Sequence, residues 1–271
     1  MKTRILVSVV GLPLLLAVLL VFPPMATAIL VSAMALIAVY ELLWSAGLTK
    51  NIGLVSVSSV MAIAVCLWCT GTMSWIQALI GLWAFLMALV CLMIASHGKL
   101  PIQQVCGAIF AGVIVPLMLS ALIRIRYMQN GEYYILIPLV LCFGTDSAAY
   151  FVGCAIGKHK MAPIISPKKS WEGAIGGAVG GILLMFVYTL ILQKSFAFEV
   201  QYGVCAVYGI LGAVTCIIGD LAFSVIKRQM GIKDYGNLLP GHGGILDRFD
   251  SMTFVAPLAE GLLLLLPLII S

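Results

Sequence analysis

Charge is what this sequence has least of. Only 9% of its 271 residues are Asp, Glu, Lys or Arg, whereas a soluble domain needs roughly 25% to cover its surface. That shortage excludes a water-solvated exterior, so the outer surface meets lipid. Runs of basic residues are missing too. The 15 Lys and Arg are scattered singly or in pairs and the net charge is only +5, which argues against a nucleic-acid partner. Short alternating segments of about 10 residues, the mark of a membrane β-barrel, are absent. Eight cysteines are present and all fall inside apolar stretches, where cysteine behaves as a small hydrophobe. Cys66 and Cys69 have C-x-x-C spacing, but no second pair or histidine cluster accompanies them, so neither a zinc site nor a redox centre is supported. No long repeat, low-complexity segment or soluble domain stands out.

What the chain does have is apolar length. It is 63% hydrophobic with a mean hydropathy of +1.17, and each membrane crossing takes about 20 apolar residues. Backbone groups must be satisfied internally in lipid, so the crossings are helices. The expected fold is all-α: a polytopic transmembrane helical bundle forming one membrane domain over 1–271. Charges, Pro and Gly bound about nine spans, at 5–22, 24–46, 52–72, 74–95, 103–123, 133–154, 173–193, 201–223 and 252–270. The turn between the third and fourth, near Gly71 to Ser74, is weak, so eight or ten remain open. The first span resembles a signal peptide, with Lys2, Arg4 and Ala26-Thr27-Ala28, but its 18-residue core exceeds the usual run of about 7–15. It is read as a retained helix. With the N-terminus inside, 12 of the 15 Lys and Arg lie on one side, and cytoplasmic loops hold that excess. The N-terminus is therefore expected in the cytoplasm, together with two polar loops, 155–172 and 224–251. Residues 1–130 supply N-terminal helices and 131–271 the chemistry.

Three loci carry that chemistry. Asp146 lies inside the sixth span, where a carboxylate is costly and marks either function or a folding partner. Glu41 and Glu260 are similar but isolated, and are read as structural or interfacial. The second locus is Ser166-Pro167-Lys168-Lys169-Ser170-Trp171-Glu172-Gly173. Pro167 stiffens the backbone, Ser170 is a candidate N-cap for the next helix, and free N–H groups beside two lysines suit an anion. The lysines could equally serve only to orient the chain. Gly173, Gly177 and Gly181 then recur every four residues, with Gly176 and Gly180 beside them. Their spacing is helical, so they are read as a tight helix–helix seam rather than a phosphate loop. The third locus runs from Asp220 to Asp250. Asp220, Ser224, Lys227 and Arg228 fall on one helical face. Lys233 and Asp234 follow, then a turn at Leu239-Pro240-Gly241 and the segment His242-Gly243-Gly244-Ile245-Leu246-Asp247-Arg248-Phe249-Asp250. Asp247 and Asp250 share a face on a helix. Carboxylates supplemented by phosphates suit Mg²⁺, which takes few protein ligands, and the basic residues suit phosphate oxygens. Gly241, Gly243 and Gly244 permit positive φ and close approach to a ligand.

Ser224-Val225-Ile226-Lys227-Arg228, Lys233-Asp234 and Pro240 through Asp250 resemble the signature of the phosphatidate cytidylyltransferases, also called CDP-diacylglycerol synthases, and Ser166 through Gly173 resembles a second segment of that family. The resemblance covers essentially the whole chain and fits bacterial members. It implies transfer of the CMP moiety of CTP to phosphatidate, giving CDP-diacylglycerol and pyrophosphate, at the cytoplasmic face of the bacterial inner membrane. It also implies Mg²⁺, with a second, monovalent cation such as K⁺. Carried over by position, Asp220 and Asp247 are metal ligands, with Asp250 and Asp146 as further candidates. Asp220, Asp247, Lys227 and Arg228 form the catalytic set. Lys168, Lys169, Ser170, Ser224, Lys233, His242, Gly243, Gly244 and Arg248 bind substrate. His242 is a proton carrier or, better suited to a substrate that is already largely dianionic, a turn-stabilising or phosphate-contacting group. Expected partners are CTP, phosphatidate and membrane lipid, with no nucleic acid, and a homodimer is left open. Two rivals lose ground. A transporter would show interrupted helices in matching repeats, and a CDP-alcohol phosphotransferase would carry D-G-x-x-A-R, which this chain lacks.

Overall fold

The computed structural model describes residues 11, 13–238 and 243–270. It is a polytopic all-α membrane protein. Among the described residues, six helices are long and apolar enough to cross a membrane. They are α1 (Pro24–Tyr40, continued by a π-helical turn, Glu41–Ser45), α3 (Trp75–Ala95), α4 (Ile102–Tyr127), α5 (Gly131–Ile156), α6 (Trp171–Phe196) and α7 (Tyr202–Gln229). Two more elements match expected spans without meeting that standard. α2 (Ile52–Trp68) is apolar but only 17 residues long, and α8 (Leu246–Leu265) carries Asp247, Arg248, Asp250 and Glu260. Residues 13–20 are also helical. Lys2 and Arg4, on which part of the expected first span rests, lie outside the described residues.

The breaks between helices have local causes. Asn51 caps α2, its Oδ1 accepting from Leu54 N at 3.2 Å. The weak turn before Ser74 is closed by a reciprocal cap: Gln77 N donates to Ser74 Oγ and Ser74 N to Gln77 Oε1, satisfying two otherwise orphaned donors. Gly231, at φ +69°, ends the turn after α7, a position an L side chain rarely adopts.

The chain divides into two compact units. The first comprises residues 1–129 and 229–249. Its core is built from α1, α2 and α4, with Val31, Ala35, Leu54, Ala62, Ala108, Ala111 and Val115 buried. Gly112 lets α4 approach α2 closely, since a Cβ there would lie 3.0 Å from Ser58 Cα. α3 buries little beyond Phe85 and Leu89 and exposes Trp75, Trp83 and Ile94, as a lipid-facing helix should.

The second unit comprises residues 130–228 and 250–271. Its centre is the pairing of α5 with α6 across the expected glycine seam. A Cβ on Gly176 would meet Val152 Cβ at 2.5 Å, one on Gly180 would meet Ala148 Cβ at 2.2 Å, and one on Gly177 would meet Thr145 O at 2.9 Å. Small residues are what allow backbones to approach this way in a membrane. The connection expected as a plain loop, 155–172, differs: it holds an antiparallel hairpin, β1 (Lys160–Ala162) with β2 (Ser166–Ser170). Residues 160–170 show no strict alternation of apolar and polar side chains, so the pairing is not visible in the sequence. A second short pair, β3 (Glu199–Val200) with β4 (Ile269–Ile270), joins the end of the chain to the α6–α7 turn.

Candidate active site

In the second unit, β2 hands the chain directly to α6, and this junction fixes the lysines. Ser170 is buried and caps the helix as expected, accepting from Gly173 N at 3.1 Å. Glu172 in the first turn reaches back across the hairpin: its carboxylate accepts from the backbone N–H of Lys158 and of His159 at 3.2 Å and pairs with His159 Nδ1 at 2.5 Å. Arg228, at the end of α7, donates from Nε to Ile165 O at 3.1 Å. The hairpin is thus tied at its base by Glu172 and near its turn by Arg228. Trp171 is exposed, consistent with an interfacial anchor.

So held, the hairpin covers a cavity of about 580 Å³. Lys160, Lys168, Lys169 and Ser170 line it from the hairpin, Asp146 from α5 and Asp220 from α7. The remaining wall is apolar or aromatic, including Tyr150, Met161 and Ile217. Lys169 Nζ forms an ion pair with Asp220 Oδ2 and also acts electrostatically on Asp146. Asp220 Oδ1 accepts from Ser224 Oγ at 3.3 Å, one helical turn along α7. Asp146 Oδ1 accepts from Cys216 Sγ at 3.5 Å. Asp250 is buried, its Oδ1 accepting from Ser251 N at 2.8 Å, with Lys227 Nζ 3.9 Å from its Oδ2. Asp146, Asp220 and Asp250 are near enough to repel one another. Carboxylates gathered in a low-dielectric setting need positive charge close by, and Lys169 and Lys227 supply part of it.

In the first unit, Asp247 stands in the first turn of α8 and organises the segment ahead of it. Its Oδ2 accepts from Tyr235 N at 2.8 Å and Gly244 N at 2.9 Å. Gly243 has φ +84°, as its residue type suggested. Gly244 serves a different purpose. The space its Cβ would fill, 2.5 Å from Glu41 Oε1, is taken by a carboxylate of this chain rather than left for a ligand. Lys233 and Arg248 belong to this unit as well. His242 and Gly241 lie outside the described residues.

The predicted site residues therefore fall into two groups. Asp146, Lys168, Lys169, Ser170, Asp220, Ser224, Lys227, Arg228 and Asp250 belong to the second unit, and Lys233, Gly243, Gly244, Asp247 and Arg248 to the first. Among the described residues, no three His, Cys, Asp or Glu side chains converge tightly enough to cage a metal ion on their own. The oxygen donors nonetheless fit Mg²⁺, which binds through one or two carboxylates and takes the rest of its shell from phosphates and water. Asp220 and Asp146, on one cavity, are such a donor set.

The profile of the cytidylyltransferase family matches residues 2–266. The chain belongs to that family. Its similarity to the phosphatidate cytidylyltransferase of Bacillus subtilis (strain 168) is 34% identity over 275 residues, covering 98% of each chain. To the phosphatidate cytidylyltransferase of Haemophilus influenzae (strain ATCC 51907 / DSM 11121 / KW20 / Rd) it is 28% over 279 residues, covering 95% of this chain and 96% of the relative. To that of Mycobacterium bovis (strain ATCC BAA-935 / AF2122/97) it is 39% over 166 residues, covering 61% of this chain. That last match spans about half, 53%, of the mycobacterial protein's length. Within this chain the sequence pattern missed Glu41, Glu172 and Lys160. Glu41 gave one signal, an acid inside an apolar span, but its partners lie some 200 residues away.

Proposed function

We propose that the chain transfers the CMP moiety of CTP to phosphatidate, forming CDP-diacylglycerol and pyrophosphate. The observation that carries this reading is the cavity on which three lysines and two carboxylates converge beside an apolar wall. It suits a phosphate group borne on a lipid, and the family relationship supports the nucleotide chemistry.

The chemistry asks little of a general base. The second pKa of a phosphate monoester is about 6, so the attacking phosphate is already largely dianionic at neutral pH. One of its oxygens forms a bond to the α-phosphorus of CTP while the bond to the β-phosphate bridging oxygen breaks, releasing pyrophosphate. Bringing two anions together is the obstacle, and it is met by alignment and neutralisation. Lys168 and Lys169 neutralise phosphate oxygens from the hairpin, Lys227 and Arg228 from the end of α7, and Lys233 and Arg248 from the other polar segment. Ser224 and Ser170 contribute hydroxyl groups, and Gly243 and Gly244 shape the segment that holds Asp247. His242 contacts a phosphate or steadies its turn. When bound, Mg²⁺ supplies charge neutralisation at phosphate oxygens. Asp220 and Asp247 would hold it, with Asp250 and Asp146 as further ligands, and a monovalent cation such as K⁺ would sit with it. Lys169 is held on Asp220 and is positioned to pass to an arriving phosphate.

Nine spans with the N-terminus and both polar segments in the cytoplasm of a bacterial inner membrane complete the proposal. They place the charged groups where CTP arrives and the lipid already resides. The test is direct. Purified protein in mixed micelles, given phosphatidate and labelled CTP, should form CDP-diacylglycerol and pyrophosphate in equal amounts, should stop on chelation and should resume with added Mg²⁺. Folded protein that makes no CDP-lipid, or activity that survives chelation, overturns the reading.

A further inference from the structure

Glu41 is the most completely buried acidic side chain among the described residues, at 1% exposure, and it belongs to no part of the signature. It opens the π-helical turn Glu41–Ser45 at the end of α1; such turns cost helical regularity and frequently mark functional places. Its carboxylate accepts two backbone hydrogen bonds from the start of α8: Ile245 N to Oε1 at 2.9 Å and Leu246 N to Oε2 at 2.8 Å. These are donors that a helix leaves without intrahelical partners, and here a carboxylate from another helix accepts from both. Two glycines make room for the carboxylate. A Cβ on Gly244 would lie 2.5–2.6 Å from both Glu41 oxygens, and one on Gly236 would lie 3.0 Å from Oε1. Asp247 follows one residue after Leu246, and its own Oδ2 is held by Tyr235 N and Gly244 N.

We infer that Glu41 is a positioning residue for Asp247: by holding the N–H groups of Ile245 and Leu246 it fixes where α8 begins, and so sets the orientation in which the Asp247 carboxylate is presented. The inference rests on the proposed role of Asp247 as a metal ligand. A buried charge answering only two N–H groups would be a costly way to cap a helix, since Ser or Asp at the N-cap does the same locally. Supporting partners of a metal ligand, by contrast, commonly alter affinity or activity about 10–100-fold when lost.

The test uses the full chain in detergent, with Mn²⁺ as a paramagnetic probe whose free signal falls on binding. Glu41→Gln keeps the size of the side chain but turns one acceptor into a donor facing an N–H. Gly244→Ala leaves Glu41 in place and drives its carboxylate off the same donors. Each variant should weaken Mn²⁺ binding about 10-fold or more, and the double variant should be no weaker than the worse single one. Both should raise the Mg²⁺ concentration needed for half-maximal turnover by a similar factor. A merely structural role would lower the yield of folded protein while the folded fraction bound Mn²⁺ normally. Shifts below about 5-fold in folded Glu41→Gln or, should that variant not fold, in Gly244→Ala overturn the inference. Wild-type protein that neither binds Mn²⁺ nor forms CDP-lipid would instead overturn the proposed function.

Discussion

Replacing Gly180 with alanine should disable the site from the middle of the membrane. The added Cβ would lie 2.2 Å from Ala148 Cβ, whereas apolar carbons rest about 3.5–4.0 Å apart. Both atoms are fixed to helix backbones, so no rotamer change relieves the clash and α5 must move from α6 by roughly 1.3–1.8 Å. Overpacking of this kind costs about 1–3 kcal/mol, and each kcal/mol lowers Tm by about 2–4 °C in chains of roughly this size. A fall of some 2–12 °C is therefore expected. Asp146 stands two residues before Ala148 on α5, and Lys169 and Ser170 lead directly into α6, so the displacement separates Asp146 from Lys169. Misplacement by about 1 Å costs on the order of 10²-fold in rate. The assay is CDP-diacylglycerol formation at saturating CTP, with Tm measured in the same detergent. Gly81→Ala is the control, because a Cβ there meets nothing within 4 Å and alanine favours the helix by about 0.5–1 kcal/mol. Wild-type rate and Tm in Gly180→Ala, or an equal loss in Gly81→Ala, would refute the reasoning.

Asp220→Asn should reduce turnover by more than about 10²-fold while the protein stays folded and inserted; near-normal kcat removes Asp220 from the ligand set. Lys169→Ala should raise KM for a phosphate-bearing substrate about 10-fold or more, since a hydrogen bond to a charged group contributes about 1.5–3 kcal/mol. An unchanged KM would show that Lys169 serves only its ion pair with Asp220. An introduced Lys233→Cys should react with an impermeant maleimide in inverted vesicles and not in intact cells, and the opposite pattern reverses the proposed orientation.

The sequence showed what depends on local pattern and hid what depends on distant partners. The Gly173–Gly181 spacing announced a helix–helix seam, and these glycines pack α6 closely against α5. Ser170 announced a cap, and it caps α6. The residue i, i+4 from Asp220 is Ser224, and the two are hydrogen-bonded. By contrast, the β1–β2 hairpin depends on Glu172 and Arg228 tying backbone groups in other segments. Neither side chain belongs to a periodic pattern that would reveal the strand pairing. The start of α8 at Leu246, six residues before the apolar run, is another such case. Its first turn is polar and depends on Glu41, a residue of another helix, for two of its N–H groups. Glu41 reads as isolated in the sequence because its spacing to any other charge carries no information about contact.

The charge arrangement in the second unit supports the functional role proposed for these residues over a role in folding. Asp146, Asp220 and Asp250 repel one another, and Lys169 and Lys227 offset only part of that charge. The Lys169–Asp220 pair is partly exposed, and such pairs contribute only about 0–1 kcal/mol; for the more enclosed Lys227–Asp250 pair, apolar replacements of similar volume are often neutral or stabilising. In a chain that is 63% hydrophobic, a greasy interior at this place would be the easier way to hold α5, α6 and α7 together, and the glycine seam already does so. Charged groups retained at such cost inside membrane helices mark a pathway or a site. Here Asp146 and Asp220 border a cavity that Lys160, Lys168 and Lys169 share with them, at the end of the helices where a hairpin covers it. Carboxylates alone would draw only a cation, and lysines alone only an anion. Their interleaving matches a ligand that brings both signs at once, as a phosphate does when it arrives with its metal ion.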